Sequence, residues 1–347
     1  MTLTQRIDAL VQLGAHLLAG DEFLEALMQR TAHHNPWFTV ENQRRAVEAI
    51  AREYLQREAL EGWLAPYGLP EENTPRTVGL VLAGNIPLVG FHDVLCVFVA
   101  GHRAKIKLSE KDPYLLPHLL GLLERFQPGA KDYFEVVEQL KGFDAVIATG
   151  SNNSARYFEA YFGRYPHIIR RNRNAVAVLR GDETDAELLA LGNDVFQYFG
   201  LGCRNVSKVF VPQDYDLDRL LEAFEAYREV ILHEKYKNNF DYNLATAILN
   251  REEHRHNGCL ILKPAPALPS RIATLHYEPY ESVEHLVPVL QSLEDQIQCI
   301  VARDGTLPLP TVPFGRAQQP RLQDYADGVD TLAFLLGLNS PSTVQSA

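Results

Sequence analysis

From residue 78 onward, strand-like runs alternate with segments of helical periodicity, and this alternation constrains the fold most strongly. Residues 78–83 (Val-Gly-Leu-Val-Leu-Ala) form a continuous apolar run, which is typical of a strand buried on both faces. Further strand-like runs occupy 104–108, 143–148 and 175–179, and helical segments follow them. This repeated order predicts an α/β fold with helices on both faces of a parallel sheet.

Composition and charge narrow the class of protein. The chain has 347 residues, enough for two domains, and its 46% hydrophobic and 22% charged residues are ordinary for a globular protein. A net charge of -11 argues against binding to nucleic acid or to an anionic membrane, because both favour cationic surfaces. The longest apolar run, 88–100, is too short to span a bilayer, and four cysteines without paired spacing indicate a reducing compartment. We therefore expect a cytoplasmic protein that binds no nucleic acid and is not stably inserted in a membrane.

Cys203 is the strongest candidate for a chemically active residue. It stands in a Gly-Leu-Gly-Cys-Arg turn between an amphipathic helix and a strand predicted over 208–212. The two glycines allow a tight turn and leave room beside the sulfur. The positive charge of Arg204 favours the thiolate, which is the nucleophilic form of cysteine. The pattern predicts a nucleophile, although the ordinary role of a single cysteine is that of a small buried hydrophobic residue.

The remaining cysteines and a pair of histidines are interpreted differently. Cys96 and Cys299 lie in apolar runs and are interpreted as core and strand residues, whereas Cys259 stays ambiguous. His254 and His256 stand close to Cys259, but such histidine pairs are usually just exposed, so we predict no metal site.

Polar positions follow each of the first strands predicted after residue 76. Asn85 stands in a Gly-Asn-x-Pro turn, where its amide could donate to a developing oxyanion or simply suit the turn. Lys107 ends the next strand, where it could reach a ligand hydroxyl or phosphate or remain a solvated lysine. Gly150 and Ser151 lie between a strand and a helix N-terminus, which is either a phosphate-binding position or an ordinary N-cap.

Taken in chain order, these pieces resemble the motifs of the aldehyde dehydrogenase superfamily. That superfamily has an asparagine after the first strand of its cofactor domain, Lys-x-Ser-Glu after the next, Thr-Gly-Ser before a cofactor helix, and a nucleophilic cysteine ahead of a strand. The corresponding positions here are Asn85, Lys107 to Glu110, Thr149 to Ser151, and Cys203. The resemblance covers about residues 76–335, and 174–188 is similar to the segment that leads to the cysteine helix.

The resemblance implies an aldehyde-dehydrogenase-like α/β fold, with a Rossmann-like cofactor domain and an α/β catalytic domain, and with the active site between them. In this interpretation, 1–75 is a helical segment packed on the cofactor domain and 76–173 is the cofactor domain. Residues 174–335 are then the catalytic domain, and 336–347 are a tail.

The resemblance also implies the cofactor, NADPH or NADH, and the residues that bind it. These residues are Lys107, Glu110, Gly150, Ser151 and Glu278. Glu278 stands in Glu-Pro-Tyr, which resembles the Glu-x-Phe of the superfamily, and Glu281 is an equal alternative. The choice between NADPH and NADH stays open, because Glu110 would repel a 2′-phosphate whereas Lys105 or Lys111 could accept one.

One departure from the superfamily points to a particular branch. Hydrolytic members carry Glu-Leu-Gly-Gly upstream of the cysteine, and that glutamate activates water, whereas residues 167–172 are His-Ile-Ile-Arg-Arg-Asn. Without a general base, water attacks a thioester slowly, but a thiol such as coenzyme A can still exchange with it. With Ala-Gly-Asn-Ile-Pro-Leu at 83–88 and Phe-Gly-Arg-Ala-Gln-Gln at 314–319, the chain resembles the LuxC-type acyl-CoA reductases.

This branch implies reduction of a fatty acyl-CoA to an aldehyde through a Cys203 thioester, with Asn85 and the Cys203 backbone N–H as oxyanion donors. Coenzyme A is then part of the substrate and a product, and the protein partners are a second copy of the chain or an acyl-supplying enzyme. A CoA-independent aldehyde dehydrogenase and a catalytically inactive acyl-carrier or interaction subunit stay open as alternatives. The acyl chain is not identified, and a phosphate-binding role for Arg170, Arg171 and Arg173 is as plausible as a solvated loop.

Overall fold

The computed structural model describes residues 1–339. The chain forms two compact units, one of Met1–Arg171 with the stretch from Arg321, and one of Asn172–Pro320. The first four residues of the predicted tail, 336–339, lie at the end of the first unit, and 340–347 lie outside the described residues.

The secondary structure follows the predicted alternation of strands and helices. The helices are α1 (Leu3–Ala19), α2 (Glu22–His34), α3 (Val40–Glu53), α4 (Arg57–Leu64), α5 (Phe91–Val99), α6 (Leu115–Phe126), α7 (Asn152–Phe162), α8 (Asp185–Phe196), α9 (Leu217–Ala223), α10 (Glu234–Asn250), α11 (Val283–Ser292) and α12 (Thr331–Gly337). The strands are β1 (Thr77–Val81), β2 (Arg103–Lys107), β3 (Phe134–Val136), β4 (Ala145–Thr149), β5 (His167–Arg170), β6 (Asn174–Val178), β7 (Val206–Pro212), β8 (Arg255–His256), β9 (Ile261–Pro264), β10 (Thr274–Tyr280) and β11 (Ile297–Val301).

The first unit contains a five-stranded parallel sheet of order β3-β2-β1-β4-β5. Val78 and Leu80 of β1 are fully buried, as the apolar run predicts for a central strand. The chain moves outward from β1 in one direction through β2 and β3, and in the other through β4 and β5. This is the doubly wound order, in which the crevice at the carboxyl ends of β1 and β4 is the usual ligand position.

The N-terminal helices share the core of this sheet. Leu10 and Leu13 on the buried face of α1 belong to one hydrophobic cluster with Val78, Leu80 and Leu119. An isolated amphipathic helix leaves its apolar face exposed to water, so the apolar face of α1 must be covered by the neighbouring helices and the sheet. The predicted helical segment therefore folds as part of the first unit.

The second unit contains a six-stranded sheet of order β11-β6-β7-β10-β9-β8. Its pairs are parallel except for β8 and β9, which are antiparallel at one edge. Helix α8 begins at a capping box of Thr184 and Glu187 and buries Leu188 and Leu191. The parallel sheets and flanking helices confirm the predicted α/β class.

The compact units and the predicted segments differ at the C-terminal side. The predicted catalytic domain extends to residue 335, whereas the stretch from Arg321 belongs to the first unit. Trp63 Nε1 donates to the Tyr325 hydroxyl at 2.8 Å, and Leu332 and Leu335 are buried in the first unit's core. These contacts fix α12 to the first unit. None of the helices within residues 1–339 is long and apolar enough to cross a membrane.

Candidate functional site

The predicted polar residues of the first unit follow neighbouring strands at one edge of the sheet. Val81, the last residue of β1, lies opposite Lys107 of β2 and opposite Ala148 of β4. The loops that carry Asn85 and Ser151 therefore leave the sheet at the same carboxyl edge where Lys107 ends its strand. We call this edge, at the switch in strand order, the β1/β4 edge.

The loop of Asn85 is fixed by close packing on the loop that follows β2. A Cβ atom at Gly84 would lie 2.3 Å from Ser109 Oγ and 2.6 Å from Ser109 Cβ, so only glycine fits there. Leu88, in a left-handed conformation with φ 55°, donates its backbone N–H to Asp112 Oδ2 at 2.8 Å. Asn85 itself is half-buried between these two attachments.

Asp112 is a residue of this site that the sequence alone did not single out. Its side chain is buried, and burial raises its pKa to about 6 although the Leu88 amide favours the carboxylate. Its Oδ1 atom has no hydrogen-bond partner in residues 1–339. The only local signal is an aspartate directly before Pro113, which is common in turns.

Lys107 and Glu110 are exposed at the β1/β4 edge. In the sequence they flank Leu108 and Ser109, and Ser109 packs against Gly84. An exposed ammonium and an exposed carboxylate at this position suit the hydroxyl and phosphate groups of a dinucleotide.

Ser151 caps the N-terminus of α7. Its Oγ accepts the Ser154 backbone N–H at 3.2 Å, which is the ordinary N-cap contact. A Cβ at Gly150 would lie 2.8 Å from Ser154 Cβ and from Phe158 Cε2, so glycine is required for this turn. The first turn of α7 contains no acidic residue, so the helix dipole presents positive potential to an anion at this end.

Cys203 lies in the turn between α8 and β7, at the amino end of β7. Its side chain is half-buried, whereas Cys96 and Cys259 are fully buried. Burial raises the pKa of the Cys259 thiol to about 11 and also raises that of Cys96. Cys203 and Cys299 are therefore the cysteines that a reagent can reach.

The backbone before Cys203 is strained. Tyr198, Phe199 and Gly200 are successive residues in the left-handed region, with φ of 53°, 58° and 75°. Only glycine adopts this region without cost, so the two aromatic residues must be held there by their surroundings. Both are buried, and Phe199 packs 4.3 Å from the ring of His233.

Asn205 fixes the turn of Cys203 and is a second residue that the sequence analysis did not identify. Its Oδ1 accepts the Gly202 backbone N–H at 2.8 Å. Its Nδ2 donates to the carbonyls of Gln197 at 2.8 Å and Asp194 at 3.0 Å. With 2% exposure, the amide has these backbone groups rather than water as partners.

Asp194 of α8 anchors the segment around Phe314. Its Oδ2 accepts the Gly315 N–H at 2.6 Å and its Oδ1 accepts the Ala317 N–H at 2.9 Å. Burial raises its pKa to about 7 in spite of these two donors. The Phe-Gly-Arg-Ala-Gln-Gln segment is thus attached to the helix that leads to Cys203.

Glu278 lies in the middle of β10, opposite Phe210 of β7. Its carboxylate forms an ion pair with Lys208, whose Nζ also donates to Pro266 O at 2.8 Å. Phe210 is four residues beyond the start of β7, or about 13 Å along the strand, so the second unit does not place Glu278 beside the Cys203 turn. Its role in holding a cofactor stays a prediction.

The three arginines of 170–173 have protein partners. Arg170 is buried, donates to Thr331 Oγ1 at 2.8 Å and forms an ion pair with Asp93. Arg171 forms an ion pair with Glu159, and Arg173 donates to Glu294 O at 2.9 Å. These contacts give the cluster a structural role.

The pair His254 and His256 has stacked rings with centroids 6.4 Å apart. Residues 1–339 contain no group of three or more His, Cys, Asp or Glu side chains arranged to hold a metal ion.

Comparison with known proteins gives structural matches only. No protein-family model matches the sequence, and no curated protein sequence matches it. Aldehyde dehydrogenase 21 from Physcomitrella patens, solved in complex with the reaction product succinate, is similar over 97% of this chain and 84% of its own, with TM-score 0.68 and 14% identity. An NAD-dependent aldehyde dehydrogenase from Sinorhizobium meliloti is similar over 88% and 71%, with TM-score 0.67 and 14% identity. An NADP-dependent enzyme from E. coli is similar over 88% and 74%, with TM-score 0.65 and 14% identity. These matches confirm the predicted architecture: the chain has the aldehyde dehydrogenase fold.

Proposed function

We propose that the chain is an acyl-CoA reductase that converts an acyl-CoA to an aldehyde through a thioester on Cys203. The observation that carries the proposal is a half-buried thiol on a braced turn ahead of β7, in a fold shared with aldehyde dehydrogenases. Cys96 and Cys259 are buried and have raised pKa values, so Cys203 and Cys299 are the accessible thiols, and of these two only Cys203 stands in a glycine-rich turn beside an arginine.

The first half-reaction is acyl transfer, which is redox-neutral. Cys203 Sγ attacks the thioester carbonyl, a new C–S bond forms, and the C–S bond to coenzyme A breaks. The side-chain amide of Asn85 and the Cys203 backbone N–H donate to the oxyanion of the tetrahedral intermediate. The coenzyme A thiolate leaves and takes up a proton.

The second half-reaction reduces the acyl group on Cys203. A bound NADPH or NADH supplies the hydride. Residues fit for holding such a dinucleotide lie at the β1/β4 edge: the N-terminus of α7 at Gly150 and Ser151 suits a phosphate, and Lys107 and Glu110 suit the sugar hydroxyls. Cys203 Sγ then leaves as the thiolate when the reduced adduct collapses to the aldehyde. The sum is acyl-CoA, NAD(P)H and a proton giving aldehyde, coenzyme A and NAD(P)+.

Residues 166–172 support the reductive branch rather than hydrolysis. They contain no carboxylate, and their segment forms β5, where Arg170 is buried against Asp93. Water requires a base to become a nucleophile, whereas the thiol of coenzyme A attacks as a thiolate. The acyl-enzyme is therefore expected to persist in buffer and to be consumed by coenzyme A or by reduced cofactor.

Intact-mass measurement tests the proposal. The wild type is mixed with acyl-CoAs of increasing chain length in the absence of reductant, beside Cys203→Ala and the matched control Cys299→Ala. The mass should rise by one acyl group for the wild type and for Cys299→Ala, and not for Cys203→Ala. Acylation of Cys203→Ala at the wild-type rate would refute the assignment.

The fate of the isolated acyl-enzyme separates the alternatives. Aldehyde release on addition of NADPH or NADH supports the reductase. Rapid release of free acid in buffer alone would instead indicate a water-activating carboxylate and a CoA-independent aldehyde dehydrogenase. A stable acyl-enzyme that yields no aldehyde with either cofactor would indicate an acyl-carrier subunit.

A further inference from the structure

We propose that Asn205 is a positioning residue for Cys203, whose side-chain amide holds the nucleophile in its reactive orientation. This inference rests on the proposed function, because the rigid turn serves catalysis only if Cys203 is the residue that is acylated. Asn205 would not itself touch the substrate.

Two hydrogen bonds between Asn205 and Gly202 close the turn, one through the side-chain amide of Asn205 and one through its backbone N–H. Asn205 Oδ1 accepts the Gly202 N–H at 2.8 Å, and the Asn205 N–H donates back to Gly202 O at 3.0 Å. These reciprocal bonds enclose only Cys203 and Arg204. The Cα of Cys203 therefore has little freedom relative to the start of β7 at Val206.

The other end of the amide ties the turn to α8. Nδ2 donates to the carbonyl of Asp194, in the last turn of α8, and to the carbonyl of Gln197, the residue directly after that helix. Between these anchors lies the strained stretch from Tyr198 to Gly200. The strain is retained because one buried side chain joins the residues before the stretch to those after it.

Only asparagine satisfies all of these contacts. The site requires one acceptor for Gly202 and one group that donates to two carbonyls, in a side chain short enough to stay inside the turn. Aspartate keeps the acceptor but cannot donate when ionised, and alanine keeps neither. The Asn205 amide carries no charge, so its hold on Cys203 does not depend on pH.

Asn205→Ala and Asn205→Asp test the inference, with Asn243→Asp as the matched control. Asn243 is a buried asparagine of the same unit whose Nδ2 donates to Ile272 O at 2.9 Å. Three measurements are made on each folded protein: the rate constant of acylation at saturating acyl-CoA by intact mass, the rate of Cys203 alkylation by iodoacetamide by peptide mass, and amide hydrogen exchange over 198–205.

If Cys203 is present but misplaced, acylation by bound acyl-CoA should slow more than alkylation by iodoacetamide, because only acylation requires one defined orientation of the thiol. We expect acylation of both Asn205 variants to slow by about 10-fold to 100-fold, since small misplacements of reacting groups cost rates of this order. Alkylation should change by less than about threefold, because a small reagent tolerates many approach angles. Hydrogen exchange over 198–205 should become faster in both Asn205 variants. The acyl-CoA concentration that gives half the maximal acylation rate should not change. The control Asn243→Asp should match the wild type in all three measurements.

Several results would overturn the inference. Acylation at the wild-type rate in Asn205→Asp, or equal losses of acylation and alkylation, would show that the amide does not orient the thiol. Unchanged hydrogen exchange over 198–205 would show that it does not hold the turn. If the wild type is not acylated at all, the proposed function fails, and hydrogen exchange alone still decides whether Asn205 holds the turn. If Asn205→Ala does not fold, Asn205→Asp provides the same comparison.

Discussion

The loop of Asn85 and the turn of Cys203 are held by different kinds of side chain, a titratable carboxyl group in the first and a neutral amide in the second. The first follows a strand, at the carboxyl edge of its sheet, and a buried carboxylate of Asp112 accepts its Leu88 N–H. The second precedes a strand, at the amino edge of its sheet, and the neutral amide of Asn205 holds it. Both loops have positive-φ residues that tertiary contacts stabilise, so the difference lies in the charge of the group that supplies those contacts.

This difference predicts that the Asp112 contact of the first loop responds to pH, whereas the Asn205 contacts of the second turn do not. Asp112 has a pKa of about 6 in the folded protein and an ordinary value near 3.8 when unfolded. The folded protein therefore binds this proton more tightly than the unfolded chain. The favourable contribution of the protonated group is complete below pH 4 and is lost as the pH rises to about 6 and above. No titration accompanies the contacts of Asn205.

Replacing Asn85 should have the largest effect on the chemistry. Loss of one oxyanion donor typically slows a reaction by about 10²–10³-fold, so Asn85→Ala should slow acylation by that factor while melting as the wild type does. Intact-mass kinetics with an acyl-CoA measure it. Asn73→Ala is the control, since Asn73 is a half-buried asparagine of the same unit whose amide donates to Ala100 O. Acylation of Asn85→Ala within about threefold of the control would remove Asn85 from the mechanism.

Asp112→Asn should remove the part of the first unit's pH-dependent stability that comes from this carboxyl group. Asparagine can still accept the Leu88 N–H but carries no buried charge. Raising the pKa of this carboxyl from 3.8 to about 6 corresponds to about 3 kcal/mol, so at pH 7 and above the variant should be more stable by up to that amount. Urea unfolding at pH 4 to 8 measures it, and tryptophan fluorescence reports on this unit because both tryptophans, Trp37 and Trp63, belong to it.

A stability change of the opposite sign in Asp112→Asn would contradict this account of Asp112. If Asp112→Asn were less stable than the wild type at pH 7 and equal to it at pH 4, the carboxylate would be a favourable partner of the loop. The acylation rate should stay near the wild-type value, because the loop keeps its contact.

Gly84→Ala should displace the loop of Asn85 by steric overlap. The new Cβ would lie 2.3 Å from Ser109 Oγ, and overpacking of this kind costs about 1–3 kcal/mol. Gly62→Ala is the control, because a Cβ at Gly62 meets nothing within 4 Å. Acylation should slow in Gly84→Ala only, and adding Ser109→Gly should restore part of the rate. No recovery in the double variant would mean that the loop is held in some other way.

The sequence was sufficient to predict the central strands β1, β2, β4, β6 and β7 and the loops beside them, because these depend on local patterns. The buried strand β1, the turn at Asn85 and the cap at Ser151 all have signals within a few residues. The same holds for the break before Cys203, where glycines mark the turn.

The residues that fix those loops could not be found in this way. Asp112 contacts Leu88 across 24 positions, and Asn205 depends on carbonyls that become available only when α8 ends at Phe196. For Glu278, the three-residue motif likewise does not reveal that Lys208 forms an ion pair with its carboxylate. Partners that are distant in sequence require the fold.

Ser151→Ala should have the smallest effect and should separate cofactor binding from acylation. Loss of a serine N-cap costs about 1 kcal/mol of helix stability, and fraying of the first turn of α7 would move the N–H groups proposed to hold a phosphate. A loss of that size corresponds to about a fivefold increase in the Kd of NADPH or NADH, measured by fluorescence titration. The acylation rate at Cys203 should not change, because that half-reaction takes place without the cofactor.

The matched control is Ser282→Ala, which removes the N-cap of α11 in the second unit, where Ser282 Oγ accepts the His285 N–H at 3.4 Å. This variant should leave the Kd unchanged. Equal Kd values for Ser151→Ala and Ser282→Ala would show that the N-terminus of α7 does not hold a cofactor phosphate, and the proposed phosphate position at Gly150 and Ser151 would then be wrong.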